Sequence, residues 1–562
     1  MGRPNNVRIQ TCGVYFTSML DVIPERRSMT FLLFFGLAVI TASIASPVSQ
    51  PLPTAIIDSG AIIGTTTSLP SSTAVVRKYL GVPFGAPPVR FSPPEPVERW
   101  STVYNATHWG PSCIQQIGQS SKELFGMLDL PSPANGESED CLNLNVFTPD
   151  TASAGSKAVL VWFYGGSYLN GATSVNLYDG TSFAAHQDVV VVTVNYRTNV
   201  FGFPGGDVAA TERNLGFLDQ RLALDWVQRN IAGLGGDPSK VTIFGESAGG
   251  GSVDALITAP PDPVPFHAAI MQSGQSSISM PLGGGPEKYA ESWKKLAEFA
   301  KCPADNALEC LRKAPALELK HFAENASLSF GPVPDGGVTL SATPRLDRLH
   351  SPEGNSSIAR VPILIGNNAD EPKPYIRGVN DTKAYLQTLG LGEYVDMILE
   401  AYPVGEPGTH NENDRLSLIG TDLLMHCPSK VFAEDSAKVG IPSYRYFFNA
   451  SFPNNEPFPG SGAFHAAEIE FVFGTYPKEN ATQFEHEVSQ AMQKAWANFA
   501  KDPSQGPGWD EEPIIGIFGD GVKAGMSGEG KKPLTAVNST VMDRRCELYR
   551  PLYDQLLLSG SS

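Results

Sequence analysis

No run of lysine and arginine stands out in the body of this 562-residue chain, whose net charge is −17. That balance argues against nucleic acid or an anionic membrane surface as its partner. Past residue 45 no stretch is long and apolar enough to span a bilayer. The tail Leu556–Ser562 carries neither a retention signal nor an anchor-like hydrophobic run. There is no internal repeat and no linker that would divide the chain. What these absences leave is one large unit, and 41% apolar residues suffice for a substantial core.

What is present begins with an address. Arg26 and Arg27 precede the apolar run Thr30–Ile40, and Ser43-Ile44-Ala45 supplies small residues for cleavage. Residues 1–45 therefore read as an N-terminal extension and cleaved secretory signal, starting at Met1 or Met29, and 46–562 as a single domain. The protein is expected outside the cell. Of seven cysteines, Cys12 falls in the discarded segment, leaving Cys113, Cys141, Cys302, Cys310, Cys427 and Cys546. An even number in an exported chain implies three disulfides, with fifteen pairings open to the sequence alone. N-x-S/T sequons at Asn105, Asn325, Asn355, Asn380, Asn449, Asn480 and Asn538 agree with export and glycosylation.

The chain is organised around Lys240–Val253, K-V-T-I-F-G-E-S-A-G-G-G-S-V. Val241–Phe244 has the make-up of a buried strand, and the small residues after Ser247 lead into a helix. A serine in a G-x-S-x-G turn between strand and helix is pushed out at the top of a sheet, beside free helix N–H groups. An ordinary Gly/Ser loop is the plainer alternative. Two nearly uninterrupted apolar runs, Val159–Phe163 and Val189–Tyr196, point to a sheet covered on both faces. Further strands are expected at Ala268–Gly274, Val361–Gly366 and Tyr444–Phe448, and a half-buried one at Glu139–Phe147. Helices are expected at Gln220–Ile231 and His486–Lys501, with helical insertions at 286–325 and 382–402 that could cap a site. Strands alternating with helices define an α/β fold with a mostly parallel central sheet flanked by helices.

Several longer motifs occur in order: Glu139-Asp-Cys-Leu142, Asn214–Arg221, Gly245-Glu-Ser-Ala-Gly-Gly250 and Gly462–Gly474. Over roughly 75 to 550 the chain resembles the type-B carboxylesterases of the α/β-hydrolase superfamily. That group also holds cholinesterases and a class of secreted fungal lipases. The resemblance implies Ser247 as nucleophile, His465 as general base and Glu371 as the orienting acid, in the order this fold uses. Chemistry alone would accept Asp370 as well, and His426 is a rival histidine. Pro372 stands where the family usually has glycine. The oxyanion donors implied are the backbone N–H groups of Gly166, Ser167 and Ala248, with Ser167 in place of a third glycine. The implied disulfides are Cys113–Cys141, Cys302–Cys310 and Cys427–Cys546, and Arg90–Glu139 and Arg197–Asp219 match the family's buried ion pairs. Glu246 is expected either to tune His465 or to pair with a buried water.

The expected activity is hydrolysis of small-molecule or lipid esters through an acyl-enzyme, with no metal or organic cofactor implied. No tryptophan lies between Cys113 and Cys141, where a cholinesterase would present one to its cation, so choline esters are not expected. The same loop could act as the lid of a lipase or sterol esterase, with Leu124–Leu130 as its apolar patch. A non-catalytic interaction protein with this fold is the reading from a different class.

Overall fold

The computed structural model describes residues 52–128, 135–206, 208–278, 284–351 and 358–559. The expected signal segment, the sequon at Asn355 and the end of the Leu124–Leu130 patch lie outside them. Residues Leu52–Ser562 belong to one compact unit.

Its centre is an eleven-stranded sheet. In chain order the strands are β1 (Thr65–Ser68), β2 (Val75–Pro83), β3 (Asn143–Pro149), β4 (Lys157–Phe163), β5 (Val190–Val194) and β6 (Gly236–Glu246). They continue with β7 (Ala268–Gln272), β8 (Ile363–Asn368), β9 (Ser443–Phe448), β10 (Ile514–Phe518) and β11 (Leu534–Asn538). In space they run β11-β10-β9-β8-β7-β6-β4-β5-β3-β2-β1. Strands β4 to β10 are mutually parallel, and antiparallel strands finish both edges. A small separate sheet joins Thr54–Ile57, Gly60–Ile63 and Tyr104–Asn105.

The apolar runs behave as a doubly covered sheet requires. Val159, Val161 and Phe163 of β4 point to one hydrophobic layer, and Ala158, Leu160 and Trp162 to the other. Ala223, Leu224, Trp226 and Val227 of the helix Leu215–Asn230 pack on the first face. Val488, Met492, Trp496 and Phe499 of the helix Gln483–Lys501 cover the second. The insertion after residue 285 forms helices Pro286–Phe299, Ala307–Lys313 and Ala316–Asn325 around a satellite core of Trp293, Leu296, Leu311 and Leu319.

Two elements differ from the sequence reading. β3 is buried along its whole length rather than on alternate residues. Its polar positions are matched inside: Asn145 accepts from the Gly81 N–H at 2.9 Å and donates to Thr193 at 2.9 Å. Satisfied amides can be buried at little cost, so polar alternation here does not mean a wet face. The helix expected from Gln220 starts at Leu215. Its first turns carry Asp219, fully buried against Arg197 at 2.7 Å as the implied ion pair requires.

Disulfides close Cys113–Cys141, Cys302–Cys310 and Cys427–Cys546. Arg90 grips Glu139 with two hydrogen bonds of 2.7 and 2.6 Å. Among the described residues no helix is long and apolar enough to cross a membrane.

Candidate active site

The sheet order reverses between β4 and β6, because β5 lies on the outer side of β4. At such a switch point the loops leaving the carboxyl ends diverge and open a crevice. Phe163 pairs in register with Gly245, so the loop after β4 meets the turn after β6.

That turn places Ser247 at φ 54°, ψ −123°, immediately before the helix Ala248–Thr258. A non-glycine residue in this region costs on the order of 1–3 kcal/mol and persists only where packing imposes it. The glycines around it are required by contact. A Cβ on Gly249 would lie 2.0 Å from the Phe163 carbonyl, and one on Gly274 would lie 2.0 Å from the carbonyl of Ser247 itself. Ala248 opens the helix, so its N–H has no partner within it.

The loop Tyr164–Tyr168 lies against this turn, since a Cβ on Gly165 would be 2.9 Å from Ser247 Cβ. Gly166, Ser167 and Tyr168 have φ of 108°, 56° and 59°. Two tyrosines hold the loop base: Tyr164 donates to the Tyr196 carbonyl at 2.8 Å and Tyr196 to the Tyr164 carbonyl at 2.7 Å. Neither the Gly166 nor the Ser167 N–H donates to an acceptor among the described residues. The loop thus presents two free donors next to the Ser247 turn.

The carboxyl end of β8 brings Glu371. Its Oε2 lies 2.6 Å from His465 Nδ1, while Oε1 accepts from Ser273 Oγ and the Asn368 N–H, both at 2.6 Å. His465 also donates its backbone N–H to the Glu371 carbonyl at 3.2 Å. Asp370, the other acid allowed by the sequence, turns away and accepts from the Ala463 N–H and Lys523. Pro372 fits because Gly420 faces it: a Cβ there would be 2.9 Å from Pro372 Cγ. His426 is not at this site. It pairs with Asp543 at 2.9 Å, and the neighbouring Cys546 sulfur is bound to Cys427 and so is no metal ligand.

The far nitrogen of His465 is the informative one. Nε2 sits 3.2 Å from Glu246 Oε1, and Ser247 Oγ makes no hydrogen bond among the described residues. Glu246 is buried, and its Oε1 otherwise has no partner. Burial, with the nearby carboxylates Glu468 and Glu371, pushes its carboxyl up to about 8 against the opposing pull of His465. Burial alone would lower His465, but Glu246, Tyr375 and Glu371 outweigh it and raise the imidazole well above its ordinary value. Each group thus holds its proton more tightly than it would alone in water, and their titrations are coupled. Glu468, missed by the sequence reading, is fully buried behind them, accepting from Asn368 at 2.5 Å and Gln272 at 2.9 Å. Ser273 and Tyr375 were missed too. The Tyr375 ring lies 6.1 Å from the imidazole of His465 and is 58% exposed. Burial, with Glu246 and Glu371, still raises its hydroxyl above the ordinary value despite His465. Tyr375 thus gives the surface beside His465 an exposed aromatic face.

Comparison with known proteins places the chain in a family. A family model described as the carboxylesterase family matches residues 51–511. The chain is 33% identical to a cholinesterase of Mus musculus, over 77% of this chain and 76% of the relative. It is 33% identical to liver carboxylesterase 1 of Oryctolagus cuniculus, over 83% and 89%, and 32% identical to a cocaine esterase of Homo sapiens, over 81% and 85%. An α/β-hydrolase sheet, a serine elbow and a glutamate-bound histidine thus sit in a chain that belongs to the carboxylesterase family and is a carboxylic ester hydrolase.

Proposed function

We propose that the protein is a secreted serine esterase that hydrolyses carboxylic esters by two acyl transfers. Ser247 Oγ attacks the ester carbonyl while His465 Nε2 takes its proton. Glu371 accepts from Nδ1–H, which fixes the tautomer and stabilises the imidazolium. The tetrahedral oxyanion is bound by the N–H groups of Gly166, Ser167 and Ala248. The carbon–oxygen bond to the alcohol breaks as His465 returns the proton to it, leaving an acyl group on Ser247. Water then attacks, giving its proton to His465, and Ser247 leaves with that proton as the carboxylic acid departs.

The observation that carries this reading is the 2.6 Å bond from Glu371 to His465 beside a serine held at positive φ. Catalytic hydrogen bonds are commonly long before substrate arrives, so the Ser247–His465 bond is one that forms in the complex. It requires His465 to be neutral with the lone pair of Nε2 free of Glu246. Ser247→Ala, assayed on p-nitrophenyl esters from acetate to palmitate, tests the assignment. The wild type should favour short acyl chains and the variant should be inactive; an active variant would sink the roles of Ser247 and His465.

A lipase or sterol esterase is the second reading. The helix Gln119–Met127 lies inside the Cys113–Cys141 loop and reaches the loop following Glu371, since Arg377 donates to Met127 Sδ at 3.4 Å. A rate that jumps when a glyceride passes from solution to emulsion would establish it. Secretion rests on the Thr30–Ile40 run and on sequons whose asparagines are exposed at 105, 325, 380, 480 and 538. Asn449 is half-buried and accepts from Lys523. Glycopeptide mapping of exported protein should find glycans at the five exposed positions and a mature start near residue 46.

A further inference from the structure

Three loops meet beyond His465: the Cys113–Cys141 loop, the turns following Glu371, and the segment leading to His465. Arg377 stands where they converge. It donates to Met127 Sδ at 3.4 Å from the first, and its guanidinium lies 5.4 Å over the ring of Phe458 from the third. A thioether and an aromatic face hold the fork in place without neutralising it. Among the described residues no carboxylate pairs with Arg377.

Arg377 is also on the reactive side. Burial alternates along the turn, with Tyr375 and Arg377 exposed and Ile376 buried. Tyr375 is the ring beside His465. In ester hydrolysis the departing alcohol receives its proton from the histidine, so it leaves past this wall. A path outward from His465 therefore meets an aromatic surface and then an unpaired guanidinium.

We propose that Tyr375 and Arg377 form a leaving-group subsite selecting esters whose alcohol portion is aromatic or apolar near the ester and carries a carboxylate at its far end. This rests on the ester-hydrolysis reading above. A planar guanidinium held on its apolar faces presents its N–H edge, which matches a carboxylate with two parallel bonds. The same charge disfavours a quaternary ammonium at that position. Selection here acts at short range, against the long-range repulsion of anions by a net charge of −17.

The test uses phenyl butyrates bearing a para carboxylate, carboxamide or trimethylammonium group, compared as ratios of kcat/KM. The carboxylate-to-carboxamide ratio should fall about tenfold in Arg377→Gln, with partial recovery in Arg377→Lys. In Arg377→Glu the trimethylammonium ester should become the preferred charged substrate. Salt separates the local effect from the global one without any variant. If Arg377 governs, the wild-type carboxylate-to-carboxamide ratio falls as salt rises. A ratio that rises with salt, or one unchanged among wild type, Gln and Glu variants, overturns the subsite. If the wild type turns over none of the three esters, or Ser247→Ala retains activity, the esterase reading itself has failed.

Discussion

Two histidines, the half-buried His465 and the buried His426, each sit against carboxylates, yet their surroundings are opposite. His426 shares Asp543 with Arg445, which grips the same carboxylate at 2.8 and 3.0 Å and also reaches Glu512 at 3.3 Å. Burial would raise Asp543, but the His426 bond and Arg445 outweigh it and hold it well below the usual carboxylate range. Around His465 stand Glu246, Glu371 and Glu468, and among the described residues no lysine or arginine pairs with any of them. There the carboxyls of Glu246 and Glu468 are raised, by burial first. A compensated cluster holds the fold together; an uncompensated one keeps protons mobile, which is what acid–base chemistry needs.

The largest contrast comes from removing the acid in each. Glu371→Gln should lower kcat by about 10³–10⁴-fold with little change in Tm. Asp543→Ala should instead cost about 3–5 kcal/mol of stability by stranding the buried Arg445, with kcat per folded molecule preserved. Stopped esterase assays beside thermal melts read both. If Asp543→Ala abolished turnover in a well-folded protein, the two clusters would not be separable in this way.

Glu246→Gln probes the coupling between Glu246 and His465. With the ionised Glu246 gone, His465 loses its largest raising influence, so the acid limb of kcat/KM should move to lower pH. An unmoved limb would mean that Glu246 stays protonated throughout. The same variant has a stability consequence of definite sign. A carboxyl raised from 4.5 to about 8 on folding costs nothing below its unfolded value and a growing amount until pH passes about 8. Glu246→Gln should thus be more stable than wild type above pH 8, by on the order of a few kcal/mol, and no more stable near pH 4. Denaturation at both pH values decides it.

The smallest effect is expected at Ser167, where backbone rather than charge is in play. Ser167→Gly keeps the N–H donor and removes a side chain from φ 56°. The rate should stay within about threefold, and Tm should rise by the equivalent of about 1 kcal/mol or less.

Much of the site was legible because its signals are local. The β-branched run before Ser247 and the glycines after it lie within one strand and one turn, and the parallel strands announced themselves as apolar runs. Glu371 and Asp370 are neighbours that chemistry alone does not separate; the resemblance points to Glu371, and in the structure Glu371 faces His465 while Asp370 faces Lys523. Glu468 and Ser273 gave no signal because each acts on Glu371 from about 100 residues away. Asn145 misled for the reverse reason, as a polar residue whose distant partners, Gly81 and Thr193, satisfy it inside.

The placement of the three groups after parallel strands far apart in the chain also sets a schedule. Ser247 follows β6, Glu371 follows β8 and His465 follows β9. At 5–20 residues per second, the ribosome completes His465 about 10–45 s after Ser247. The serine elbow and its donor loop can be in place while the base is still unmade. Under the proposed mechanism hydrolysis is therefore acquired late in synthesis, and a chain cut short after β8 would carry Ser247 without the base proposed to activate it.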